Sequence, residues 1–159
     1  MSIRIGFGAD LHRLEPGTGF PLCGVHVECR FSAVAISDGD VAVHALVDAL
    51  LGAMGEGDIG ERFPENRAVR GESSLRYLGE IRDLLAARSG RVVNIDLVID
   101  LQRPKLLERK QAMRLNLANF LGLPPSSVNV KAKTGEAIGP IGLSQAVGAQ
   151  AAVLIELPS

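Results

Sequence analysis

The sequence predicts an α+β domain: a mixed β-sheet with helices packed on one face. Three observations carry this. Segments that alternate apolar and polar residues interleave with segments whose apolar residues recur at helical spacing. The chain opens on a pair of strand-like segments and has few crossovers, unlike an all-parallel sheet. The last strand-like segment, AQAAVLIEL (149–157), is apolar on both faces, with Ala151, Val153 and Ile155 on one and Ala152 and Leu154 on the other. Such a strand needs cover on both sides. The helices cover one side, and a second copy of the chain is the simplest cover for the other.

In chain order, residues 3–12 read as a strand and residues 21–29 as one or two short strands around Gly24. A helix follows from about Asp40 to Met54. Ser37 with Asp40 three residues on comes close to the S-x-x-E capping box, and Gly55 and Gly57 stop the helix. EGDIGERFPENRAVRGE (56–72) mixes Gly, Pro and charge without periodicity and reads as a long loop, a length commonly kept for function. Ser73 or Ser74 caps a second helix, in which Leu75, Leu78, Ile81 and Leu85 recur at helical spacing until Gly90. VVNIDLVIDL (92–101) reads as a strand with Val93, Ile95, Leu97 and Ile99 on one face. Pro104 suits the first turn of a third helix running to about Leu121, ended by Gly122 and Pro124. VNVKAK (128–133) and the closing segment complete the strands. No repeat, low-complexity tract or linker divides the chain, so a single domain over 1–159 is expected.

Composition narrows the function. The 159 residues are 47% hydrophobic and 22% charged, as in folded globular proteins. Seventeen basic residues balance eighteen acidic ones, and no Lys/Arg cluster interleaves with aromatics, which argues against nucleic acid. No apolar run approaches the roughly 20 residues of a membrane span, and residues 1–4 lead straight into a strand without a signal-peptide core. A cytoplasmic protein is expected, or a stromal one if the source has plastids. Cys23 and Cys29 follow no zinc spacing and read as free thiols of a reducing compartment, and His26 as a surface residue.

FGADLHRL (7–14) places Asp10 and His12 on one strand face while Leu11 points the other way. An isolated D-x-H is also what a polar strand edge looks like, so the pair needs a third partner. The first helix supplies one. Its only strongly polar side chains, Asp40, His44 and Asp48, fall at i, i+4 and i+8, without the Lys, Glu or Arg of a solvent face. Asp10, His12 and His44 give two imidazoles and a carboxylate, the ligand set of a catalytic zinc with one open position. Asp48, one turn below His44, is expected to orient it. The helix start SDGD (37–40) offers backbone N–H groups to a phosphate. Zinc beside an anion-binding helix start points to phosphoryl chemistry.

RIGFGADLHRL, SDGDVAVHALVDALLGAMGEGDIGERFP, RPKLLE and NVKAKTGE, in unbroken order over nearly the whole chain, resemble the 2-C-methyl-D-erythritol 2,4-cyclodiphosphate synthase family. The resemblance implies a metal-dependent phosphorus–oxygen lyase of the non-mevalonate isoprenoid pathway. Its substrate would be 4-diphosphocytidyl-2-C-methyl-D-erythritol 2-phosphate, cyclised with release of CMP. It implies a homotrimer, the open sheet face turned to the threefold axis, with active sites between subunits.

Residue by residue, the resemblance assigns zinc to Asp10, His12 and His44 and a second divalent ion, magnesium or manganese, to Glu136. Asp10, Leu11, His12, Ile36, Ser37, Asp58, Ile59, Gly60 and Phe63 would line the substrate. Leu101, Pro104, Lys105, Leu106 and Leu107 would bind cytosine from the neighbouring subunit. Lys133, Thr134, Gly135 and Glu136 would meet the phosphates, with Ile36, Lys133 and Thr134 in the catalytic positions. The chain departs from the family pattern in three places. Ile36 stands where the family has a histidine, Glu65–Asn66–Arg67 where it tends to be acidic or hydroxylated, and Leu143 and Gln145 where many members carry Arg and Glu around an axial cavity thought to take an isoprenoid diphosphate. Two other functions fit the same residues: a zinc-dependent phosphohydrolase, in which water attacks, and a non-catalytic trimer that binds cytidine nucleotides.

Overall fold

A computed structural model of the chain describes residues 1–67 and 69–158; Ala68, inside the predicted 56–72 loop, and Ser159 lie outside the described residues. Seven strands and five helices follow in the order β1 (Ser2–Pro16), β2 (Gly19–Leu22), β3 (Val25–Glu28), β4 (Phe31–Ala33), α1 (Val41–Met54), α2 (Ile59–Arg62), α3 (Leu75–Ala87), β5 (Arg91–Asp100), α4 (Lys110–Leu121), β6 (Val128–Lys133), α5 (Gly139–Gly142) and β7 (Ala146–Leu157). β2 and β3 form a separate hairpin, and the main sheet runs β4-β1-β7-β5-β6. β1 pairs antiparallel with β4 and β7, and β7 with β5, whereas β5 and β6 are parallel across the α4 crossover. The sheet is mixed, as expected.

α1 packs onto β1 because Gly6 and Gly8 leave the strand without side chains beneath the helix. Gly6 and Gly8 lie on the helix-side face, where an added Cβ would fall 1.8 Å from the Ala49 carbonyl oxygen and 2.2 Å from that of Ala45. Only glycine admits helix backbone this close. Two residues further along the same face come Asp10 and then His12, so the contact that seats the helix also aligns His44 with them. The rest of that face is core: Ile95, Leu97 and Ile99 of β5, Val128 and Val130 of β6, and Ala149, Ala151, Val153 and Ile155 of β7. The opposite face is bare. Ile3, Ile5, Phe7 and Leu11 of β1 are each more than 60% exposed, an apolar ladder larger than scattered surface residues explain.

Four details differ from the sequence reading. The α1 cap is Asp40 rather than Ser37: its carboxylate accepts from Val43 N and also from Cys23 N and Gly24 N at the β2–β3 turn. Burial pushes this carboxyl up, and the three N–H donors oppose it. The 56–72 loop holds α2 and a 3₁₀ turn at Glu65–Arg67. In β5, a bulge between Val92 and Asn94 takes Val93 out of the inward row, so that Val92 packs on the core instead. The third helix starts at Lys110, not near Pro104. Residues 101–106 run past the end of β6, Leu101 N donating to Lys133 O, and turn only where Leu106 O accepts from Arg109 N and Lys110 N.

Candidate active site

Strand alternation puts Asp10 and His12 on the helix side of β1, and His44 meets them from the first turn of α1. Asp10 Oδ2 lies 3.0 Å from His44 Nδ1 and 3.1 Å from His12 Nε2, and the two nitrogens are 3.1 Å apart. His44 is buried, and Asp10 and His12 are half-buried. Burial alone would raise the Asp10 carboxyl, but hydrogen bonds and charge from His12 and His44 outweigh it and hold the group well below the usual carboxylate range. The triangle suits a metal. Its 3.0–3.1 Å edges approach the ~3.3 Å ligand spacing of a tetrahedron with bonds of about 2.0–2.1 Å.

Behind the triangle the structure replaces the expected orienting residue. Asp48 accepts from Ile59 N at 3.0 Å, so it anchors the start of α2 and does not touch His44. The stripe of Asp40, His44 and Asp48 is therefore one residue of the triangle between two structural carboxylates. His44 Nε2 instead lies 2.8 Å from Ser74 Oγ and 3.2 Å from Ser37 Oγ. Ser74, read from sequence as a helix cap, makes no side-chain cap bond; its hydroxyl donates to Asp38 Oδ1. Neither Asp38 nor this use of Ser74 was visible in the spacing.

The triangle opens on a cleft of about 600 Å³ lined by Ile36, Ser37, Ile59, Gly60 and Phe63 among the predicted residues, by Glu65 of the segment that departs from the family pattern, and by Val34, Ala35, Arg70 and Tyr77, which the sequence does not mark. Of the SDGD N–H groups expected to meet a phosphate, three are occupied: Asp38 N donates to Glu72 O, Gly39 N to Ser37 Oγ and Asp40 N to Asp38 Oδ1. Among the described residues no group accepts the backbone N–H of Ile36 or Ser37, while Ile36 O accepts from Gly71 N. Two predicted residues stand apart. Leu11 sits on the bare face of the sheet, and the Asp58 carboxylate caps α2 by accepting from Glu61 N. A second cleft, of about 490 Å³, gathers Leu101, Lys105, Leu106, Leu107, Lys133, Thr134 and Glu136. There Thr134 Oγ1 donates to Glu136 Oε1 at 3.0 Å, and Gly135 N donates to the Gln102 side chain. Pro104, half-buried, lies in the same segment, its bond to Arg103 cis. Within one chain, then, the predicted residues form two separate groups.

A mixed sheet with an Asp–His–His triangle at its helix-covered face, open to a cleft, defines an α+β protein with a cluster that could hold a metal ion. The chain belongs to the YgbB family, whose profile matches residues 3–156. It is 45% identical over 153 residues to the 2-C-methyl-D-erythritol 2,4-cyclodiphosphate synthase of Methylococcus capsulatus, covering 96% of this chain and 97% of that protein. Its fold matches the bifunctional IspDF of Campylobacter jejuni with a TM-score of 0.94 at 35% identity, over 99% of this chain and 43% of that one. It matches IspF of Plasmodium falciparum, solved as a CDP complex, with a TM-score of 0.87 at 31% identity, over 99% of this chain and 97% of that one. The chain spans about two-fifths of the length of the bifunctional relatives it matches. Among the described residues, no helix is long and apolar enough to cross a membrane.

Proposed function

We propose that the chain converts 4-diphosphocytidyl-2-C-methyl-D-erythritol 2-phosphate to 2-C-methyl-D-erythritol 2,4-cyclodiphosphate with release of CMP, as a zinc-dependent homotrimer of the cytoplasm. One observation carries the reading: Asp10, His12 and His44 converge within 3.0–3.1 Å of one another beside a cleft bordered by the unpaired N–H groups of Ile36 and Ser37. The proposed substrate's charge is all phosphate, and Ser37, Arg70 and the triangle are the groups of this cleft that suit phosphate oxygens.

An oxygen of the 2-phosphate attacks the β-phosphorus; the bond from that phosphorus to the CMP oxygen breaks, and CMP leaves with the electron pair. The nucleophile is already an anion, so no Ser or Cys nucleophile is needed. The work of the protein is to fold a flexible polyanion so that its ends meet, an effect of roughly 7–11 kcal/mol in favourable intramolecular cases. Zinc held by Asp10, His12 and His44 would supply Lewis-acid neutralisation of phosphate charge. Ser37 and the N–H groups of Ile36 and Ser37 hold phosphate oxygens as charge develops on them. The α2 start, fixed by Asp48 and Asp58, presents Ile59 and Gly60 to the erythritol hydroxyls. Residues 101–107 hold the cytosine, while Lys133 and Thr134 face the diphosphate and Glu136 would help to hold a second divalent ion.

The two groups of residues occupy different clefts of one chain, so each site would join the metal cleft of one subunit to the cytosine cleft of its neighbour. The ladder of Ile3, Ile5, Phe7 and Leu11 supports the assembly, because apolar surface of that extent is stabilised by burial against another copy. Mixing tests this. His44→Ala and Lys105→Glu variants, each inactive alone, are co-refolded in equal amounts, and about one quarter of the interfaces then receive an intact half from each chain. Activity near a quarter of the unmutated level supports the shared site; no recovery from a mixed assembly contradicts it.

A further inference from the structure

We propose that Ser74 is a positioning residue for the metal site: with Asp38 behind it, its hydroxyl holds His44 in the tautomer that turns a lone pair on Nδ1 toward Asp10 and His12. The proposal rests on the metal reading above and adds to it a pair of residues that touch neither substrate nor metal.

The argument runs through donor and acceptor capacity. His44 Nδ1 is the atom that faces Asp10 and His12, so a metal there requires the ring proton on Nε2. Nε2 lies 2.8 Å from Ser74 Oγ. A serine hydroxyl alone would not decide the tautomer, because it can either donate to Nε2 or accept from it. Asp38 removes the choice. A carboxylate only accepts, so the Ser74 proton is committed to Asp38 Oδ1, and Ser74 Oγ has only lone pairs left for Nε2. The ring nitrogen must then donate, which leaves Nδ1 free to ligate.

Asp38 cannot turn away easily. Its Oδ2 accepts from Ser74 N at 3.1 Å, its Oδ1 also accepts from Asp40 N at 3.2 Å, and its own N–H donates to Glu72 O. Ser74 is fully buried and begins α3, yet its hydroxyl makes no cap bond there. Ser37 Oγ accepts from Gly39 N and keeps a free proton of its own, but it lies farther from Nε2, at 3.2 Å against 2.8 Å, so Ser74 makes the closer contact that sets the tautomer. The arrangement is a carboxylate–histidine–metal relay with a hydroxyl interposed, the kind of outer contact that orients a ligand and raises its basicity.

The test is the zinc dissociation constant, read by competition with a chromophoric chelator, for the unmutated protein and for Ser74→Ala, with the melting temperature of each zinc-free protein measured alongside. Ser74→Ala is expected to bind zinc 10–100-fold more weakly. A merely structural serine would lower the zinc-free melting temperature and leave the dissociation constant of the folded protein within twofold, and that result overturns the proposal. Should the variant not fold, Asp38→Asn decides, because an amide no longer commits the Ser74 proton to residue 38: a zinc dissociation constant raised tenfold or more supports the relay, and one within twofold of the unmutated value overturns it. Failure of the unmutated protein to bind zinc is a separate result, which overturns the metal reading and this proposal with it.

Discussion

Replacing Gly8 with Ala is expected to damage the metal site without touching a ligand. The new Cβ would lie 2.2 Å from Ala45 O, 2.6 Å from Ala49 N and 2.9 Å from Asp48 Cβ, where ordinary contact begins near 3.4 Å. Two of these atoms are helix backbone and cannot swing aside, so α1 must retreat by about 1 Å. Overpacking of this kind costs about 1–3 kcal/mol, or roughly 2–12 °C in melting temperature at about 2–4 °C per kcal/mol for a chain of this size. The site is less tolerant than the fold. His44 rides on the helix that moves, Asp10 and His12 on the strand that stays, and metal distances tolerate only about ±0.2 Å. Zinc affinity is therefore expected to fall more than tenfold, or more than about 1.4 kcal/mol, in chelator competition. Gly52→Ala is the control: in the same helix its Cβ meets only Phe7 O at 4.0 Å, and exchanging an exposed helical glycine for alanine stabilises by about 0.5–1 kcal/mol. A Gly8→Ala protein that melts and binds zinc like the unmutated one would refute the reasoning.

Two other variants probe separate parts of the account. Asp40→Ala removes the α1 cap, worth about 1 kcal/mol, and strands the buried Cys23 N–H, at about 1–3 kcal/mol, and the part-buried Gly24 N–H at somewhat less. Thermal melts should show a loss of about 3 kcal/mol or more, and a change below about 1 kcal/mol would mean that the β2–β3 turn does not depend on this carboxylate. Ile36→His should change turnover less than tenfold, under about 1.4 kcal/mol, because the group that position 36 offers to phosphate is its backbone N–H. A hundredfold gain in steady-state rate would show that a ring donor is needed there.

The fold was legible where local pattern and tertiary role coincide. The alternation of β1 and the helical spacing of α1 and α3 are imposed by burying one face, and burial is what the sequence pattern records. The Asp10–His12–His44 triangle was legible for the same reason, since period-two and period-3.6 placement can be combined without coordinates. Partners were harder to read. Spacing gives the face a side chain shares but not the group it meets: Asp40 faces Cys23 N and Gly24 N, and Asp48 faces Ile59 N, all brought near by tertiary folding. Ser74 stands at the cap position, as its place before a helix signals, but Asp38 and His44 take its hydroxyl, and spacing does not carry that partner. Pro104 misled because a proline that suits a first helical turn also suits an irregular segment, and the stretch beside β6 decides between them.

The most direct test of the central claim is to incubate the zinc-loaded protein, with magnesium, with 4-diphosphocytidyl-2-C-methyl-D-erythritol 2-phosphate and follow the phosphorus NMR spectrum. The account predicts that the substrate resonances give way to CMP and to the pair of coupled resonances of a cyclic diphosphate. Open-chain phosphates in their place would mean that water attacks and the protein is a phosphohydrolase; an unchanged spectrum with substrate bound would mean a nucleotide-binding assembly without turnover, and either result contradicts the account.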